Sequence, residues 1–135
     1  MIYRYKPKRV TNVVFFCFLF FLFLLTILRW IYTFHNNVVV FNTSITSHIS
    51  NFSLSFLFYL AIGFSWLLQG NSFSKIVWLG IVLILANLLC ETVMGFMNTP
   101  DLIDAVYGIV GTIGGFCFLL LTKKYGLIPT DEDLK

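Results

Sequence analysis

Four long apolar runs, separated by short polar breaks, make up most of the chain: Val13 to Phe34, Phe52 to Gln69, Ile76 to Met97 and Leu102 to Thr122. At about 1.5 Å of rise per residue, runs of this length match a hydrocarbon core of roughly 30 Å. The pattern predicts an all-α integral membrane bundle of four transmembrane helices, forming a single domain over residues 1–135 with a polar tail over 123–135. The first break, His35 to Ser50, contains no Lys, Arg, Asp or Glu and is rich in Asn, Ser, Thr and Val, so it reads as a polar loop outside the membrane. The others are shorter: Gly70-Asn71-Ser72-Phe73-Ser74-Lys75 and Asn98-Thr99-Pro100-Asp101. In the second helix Ser55, Tyr59, Gly63 and Trp66 recur at spacings of four, four and three. A stripe of small and polar residues on a membrane helix is expected to turn into the bundle.

Composition narrows the class further. A chain of 135 residues that is 59% hydrophobic and 11% charged, with mean hydropathy +0.89, does not suit a soluble domain. Its net charge of +3 is best read as topology. Arg4, Lys6, Lys8, Arg9, Lys75, Lys123, Lys124 and Lys135 all fall on one side of the expected helices, so both termini are expected to be cytoplasmic. The acids Asp131, Glu132 and Asp133 weigh little in that rule. The basic start followed by Val13 to Leu28 also raises a cleaved signal peptide. The run is long for one and leads into Arg29, Trp30 and Tyr32 with no small-residue cleavage site, so a retained helix is expected.

Candidate chemistry is sparse. Basic residues sit beside segment ends rather than interleaved with aromatics, which argues against nucleic acid as a partner. Cys17, Cys90 and Cys117 lie in apolar runs and read as reduced, packed thiols. His35 and His48 read as solvated loop residues, since no Cys or carboxylate flanks either at ligand spacing. Asn42-Thr43-Ser44 and Asn51-Phe52-Ser53 match glycosylation acceptors, a short motif that often arises by chance. No triad, metal cluster or phosphate loop is discernible, so no enzyme activity, cofactor or metal is expected.

The ionisable residues inside the apolar runs converge in depth. Measured from each helix centre, Arg29 lies roughly 8 Å outward, Glu91 roughly 7 Å and Asp104 roughly 11 Å. A charge at bilayer depth costs about 2.5 to 3.5 kcal/mol, so each needs a partner, a wet cavity or the interface. Arg29, Glu91, Asp101 and Asp104 therefore form the candidate polar cluster, with Arg29 expected to pair with Glu91 or Asp104. A simpler reading has Arg29 as an interfacial anchor and the two aspartates as caps of helix four. Asn87 precedes Glu91 by one turn. Gly108, Gly111 and Gly115 follow Asp104 at spacings of four, three and four, a small face expected to bring helix four close to helix three.

These residues resemble the VanZ-like membrane proteins: a glutamate near the outer end of one helix, then Asp-x-x-Asp opening the next, then glycines seven and eleven residues on. The matching positions are Glu91, Asp101, Asp104, Gly111 and Gly115, with Phe58-Tyr59-Leu60-Ala61 similar to the family's second helix, over roughly Ser53 to Leu121. The chain departs from the family at Met94, Asn98 and Gly108, where the family has Gln, Arg and Asn. The resemblance implies a bacterial cell-envelope membrane protein in a family named for low-level resistance to teicoplanin-type antibiotics. The expected partners are the lipid bilayer and an amphiphilic lipid or glycopeptide ligand, and a homo-oligomer is compatible with the sequence. Two rival classes stay open. One is a dimeric proton-coupled multidrug transporter built on Glu91, although such transporters carry their glutamate in the first helix. The other is a structural membrane subunit.

Overall fold

The computed structural model describes residues 3–35, 42–92 and 101–130. Four helices follow in order: α1 (Arg9–His35), α2 (Thr43–Leu68), α3 (Phe73–Thr92) and α4 (Leu102–Leu121). All four are long and apolar enough to cross a membrane, which supports a multi-pass membrane protein. Beyond α4 a single π-helical turn, Thr122–Gly126, leads into β2 (Leu127–Pro129), which pairs antiparallel with β1 (Tyr5–Pro7).

That ribbon corrects the expected free tail from Lys123. Tyr5 lies opposite Pro129 and Pro7 opposite Leu127, and the pairing is extended by Lys8 N–H to the Gly126 carbonyl at 2.8 Å and Thr130 N–H to the Arg4 carbonyl at 2.9 Å. Both described ends of the chain thus meet at one end of the bundle. The α2–α3 turn lies there too, because a Cβ at Gly70 would touch the Arg4 side chain and Lys123 Nζ sits 4.4 Å from the Phe73 ring centre. Arg4, Lys6, Lys8, Arg9, Lys75, Lys123 and Lys124 consequently gather at this basic end. The tail acids and Lys135 lie outside the described residues.

The turn itself follows from Gly70. Its φ of +75° is in the left-handed region, and Gly70 N–H bonds to Leu67 O while Asn71 N–H bonds to Trp66 O, each at 3.0 Å. This pair of bonds satisfies the last carbonyls of α2 and stops it.

At its other end α2 begins at Thr43, not at Phe52, so the expected loop over residues 43–50 is helix. Asn42 caps it, its side chain accepting from Ile45 N–H at 2.7 Å. The polar residues of this turn satisfy themselves locally, with Thr46 and Ser47 hydroxyls donating to the Asn42 and Ser44 carbonyls. Tertiary burial then overrides weak helix propensity, since Thr46 and Ile49 are buried on the same stripe as the rest of α2. Both glycosylation-like triplets fall here, one with its Asn spent on the cap and the other with its Ser53 fully buried. The remaining boundary changes are smaller. α1 starts at Arg9 rather than Val13 and α3 at Phe73 rather than Ile76, while the expected end of α3 at Met97 lies outside the described residues.

α2 is the helix that α1 and α4 lean on. Its buried positions Thr46, Ile49, Ser53, Phe56, Leu60, Gly63 and Leu67 alternate spacings of three and four, and so do Ala105, Gly108, Thr112, Gly115 and Leu119 on α4. Two stripes of this period suit ridges-into-grooves packing, and α2 and α4 share the largest helix–helix interface. α1 packs on another flank of α2, and α3 packs mainly on α4. The expected inward face of α2 is observed, with Ser55, Tyr59 and Gly63 buried and Trp66 half-buried. Tyr59 links α2 to α3 by donating to the Ile76 carbonyl at 2.8 Å.

Candidate functional site

At the end opposite the ribbon, α4 opens with Asp101. Its Oδ1 accepts from Ile103 N–H at 2.9 Å, making it the N-cap, and Asp104 follows in the first turn. Asp101, Asp104 and Tyr107 recur every three residues, so they share one face of the first two turns. That face meets His48. The His48 Nδ1 lies 2.9 Å from Asp104 Oδ1 and 3.8 Å from Asp101 Oδ2, and its ring centre is 5.6 Å from that of Tyr107.

This corrects the reading of His48 as a solvated loop residue. Its side chain is only 13% exposed, whereas those of Asp101 and Asp104 are 38% and 20% exposed. A readable signal existed: His48 lies seven residues before Ser55, so it continues the Ser55–Tyr59 face backward by two turns. The Ser- and Thr-rich composition around it hid the helix that carries that face. His35 belongs to the last turn of α1.

Glu91 also reaches this end. It is buried on α3 with 7% of its surface exposed, and its Oε2 accepts from Asp101 N–H at 3.3 Å. One carboxylate thereby braces the backbone residue that caps the next helix.

Arg29 lies toward the same end of the molecule but pairs with neither Glu91 nor Asp104. Its Nε donates to the Ser47 carbonyl at 2.9 Å, its Nη1 donates to the Thr33 hydroxyl, and its guanidinium carbon sits 5.7 Å from the Tyr32 ring centre. The place expected for Arg29 beside the acids is therefore taken by the His48 imidazole. Arg29 instead ties the last turns of α1 to the first turn of α2, one residue from His48. The four sequence candidates thus fall into an acid–histidine group, made of Glu91, Asp101, Asp104 and the unanticipated His48, and a separate Arg29 anchor.

The glycines serve two interfaces. A Cβ at Gly108 would collide with the Asn87 side chain of α3, whereas one at Gly111 would strike the Phe52 carbonyl oxygen and one at Gly115 would crowd Phe56 and Tyr59, all on α2. The small face expected to approach helix three is thus turned mainly to α2. Asn87 is occupied by Ser55 Oγ at 3.1 Å and the Leu83 carbonyl at 2.8 Å, which satisfies a polar side chain within the bundle. The three cysteines are free, as expected, but face outward rather than into the core.

The His48, Asp101 and Asp104 ligand atoms all lie within 4.8 Å of one another. One imidazole nitrogen and two carboxylates form a donor set that could hold a divalent cation or hydrogen-bond a polar head group. No ionisable nucleophile with an adjacent base accompanies them among the described residues.

Comparison of the chain with models of known protein families, with curated proteins and with solved structures finds no match.

Proposed function

We propose that the chain is a non-enzymatic, VanZ-like protein of a bacterial cell membrane whose acid–histidine end engages the polar head of an outer-leaflet amphiphile. The ligand class is a lipid-linked envelope component or a lipid-tailed glycopeptide of the teicoplanin type. The observation that carries this reading is the meeting of His48, Asp101 and Asp104 within 4.8 Å, partly exposed, at the end of the bundle away from the basic residues. By the positive-inside rule the basic end faces the cytoplasm and the acids face outward. A ligand tail would then lie in lipid while its head meets hydrogen-bond acceptors at the interface. The transporter alternative gains less support, because Glu91 braces the start of α4 rather than standing in a central cavity.

The test compares two antibiotics in a susceptible Gram-positive host expressing the chain. Sensitivity to teicoplanin, which carries a lipid tail, should fall while sensitivity to vancomycin, which lacks one, stays constant. The effect should vanish in Asp104→Ala and His48→Ala at equal protein level. Unchanged sensitivity to both drugs with well-expressed protein would exclude the antibiotic as ligand, and protection against unrelated cationic drugs that tracks the proton gradient would favour transport.

A further inference from the structure

A recess of about 670 Å³ lies far from the acids, between α1 and α4 at the basic end. Both α1 and α4 pack on α2, and among the described residues they approach each other at an upper and a lower level. At the upper level Phe18 meets Phe118 edge to face, with ring centres 5.5 Å apart. At the lower level Lys8 N–H bonds to the Gly126 carbonyl, and Thr11 sits where a Cβ of Gly126 would be. Between these levels Val14 and Cys117 line apolar walls, and Lys8 and Arg9 stand at the mouth.

Two features select an occupant. Lys8 to Phe18 along α1 is about 15 Å, half of a roughly 30 Å hydrocarbon core, so the groove runs the depth of one leaflet. Its volume also falls within the roughly 300–1,000 Å³ typical of small-ligand sites. The mouth is cationic. Lys8 and Arg9 are exposed and make no ion pair with any described residue, whereas Lys123 and Lys124 are turned onto the Phe73 and Tyr125 rings.

We propose that this groove is a binding site for one anionic glycerophospholipid of the leaflet on the basic side. An acyl chain lies along Val14 and Cys117 beneath Phe18, and the phosphate is held by Lys8 and Arg9. The proposal rests on the membrane-spanning reading and is independent of the acid–histidine end.

The experiment is native mass spectrometry of the full chain released from nanodiscs of equal parts phosphatidylglycerol and phosphatidylcholine. A single retained phosphatidylglycerol, preferred over phosphatidylcholine, is expected. Removing both cations in Lys8→Gln/Arg9→Gln should lower its retention by tenfold or more, since each Lys or Arg at a membrane surface is worth about fivefold in affinity for anionic lipid. The control Arg4→Gln/Lys6→Gln removes equal charge from the ribbon and should change retention less than threefold. Filling the groove by Cys117→Trp should abolish the adduct without changing net charge. Should that variant fail to fold by circular dichroism and gel filtration, Val14→Phe replaces it. Equal retention of both lipids, equal losses in the two charge variants, or an adduct indifferent to groove filling would overturn the proposal. So would a homodimer that groove filling disrupts, because the groove would then hold a second copy of the chain.

Discussion

The paired helices α2 and α4 and the flanking helices α1 and α3 answer the membrane in opposite ways. Of their most apolar 18 residues, 44% are buried in α2 and in the α4 segment, against 11% in α1 and in α3. Yet α2 is no more apolar than either flanking helix. In a soluble protein the more buried helix would be the more apolar. Lipid tails are as apolar as Leu, so no hydrophobic drive pulls α1 or α3 inward, and helices associate through close packing and hydrogen bonds instead. Ser53, Gly63, Gly111 and Gly115 supply the close approach, and Thr26 to Ser53 at 2.9 Å adds a bond from α1. The contrast also explains why Phe20, Phe23, Leu85 and Leu89 face outward at no cost.

The sharpest way to break this contrast is Gly111→Val. The new side chain meets the Phe52 backbone oxygen, which cannot move as a rotamer can, so a loss of about 3 kcal/mol is expected in a detergent unfolding titration. Stability near that of the parent would mean that α2 and α4 are not held this closely. Leu119→Ala comes next. Leu119 fills the space over Gly63, but lipid removes most of the transfer term, so about 2 kcal/mol is expected, near the low end for a core truncation. A much larger loss would show that water, not lipid, is the relevant reference state.

His48→Ala tests the acid–histidine end of the same helix pair. Losing the partner of a partly buried aspartate should cost about 1 kcal/mol, with Asp104→Asn partly relieving the defect in the double variant. Strict additivity of the two changes would mean that the side chains do not interact. The smallest effect belongs to α1. Phe20→Leu on the lipid face should stay within about 0.5 kcal/mol of the parent, and a clear loss would reveal a partner covering that face.

The sequence alone determined the class, the number of helices, and which face of α2 turns inward. Those follow from the length of the apolar runs and the spacing of Ser55, Tyr59 and Gly63, both local properties. It also marked Glu91 and Asp104, because an acid in an apolar run needs an explanation wherever it lies, and Asp101 as the acid just ahead of the last run. What tertiary structure decided is the pairing. Arg29 and His48 compete for the same acids on electrostatic grounds, and the choice turns on α2 starting at Thr43, which brings His48 over the first turn of α4 and gives Arg29 the Ser47 carbonyl instead. The same holds for the ribbon and for the groove. Tyr5–Pro7 and Leu127–Pro129 carry no strand pattern of their own and pair only because α1 and α4 deliver them side by side. The recess lies between two helices that both pack on a third, a relation between distant segments that no local spacing encodes.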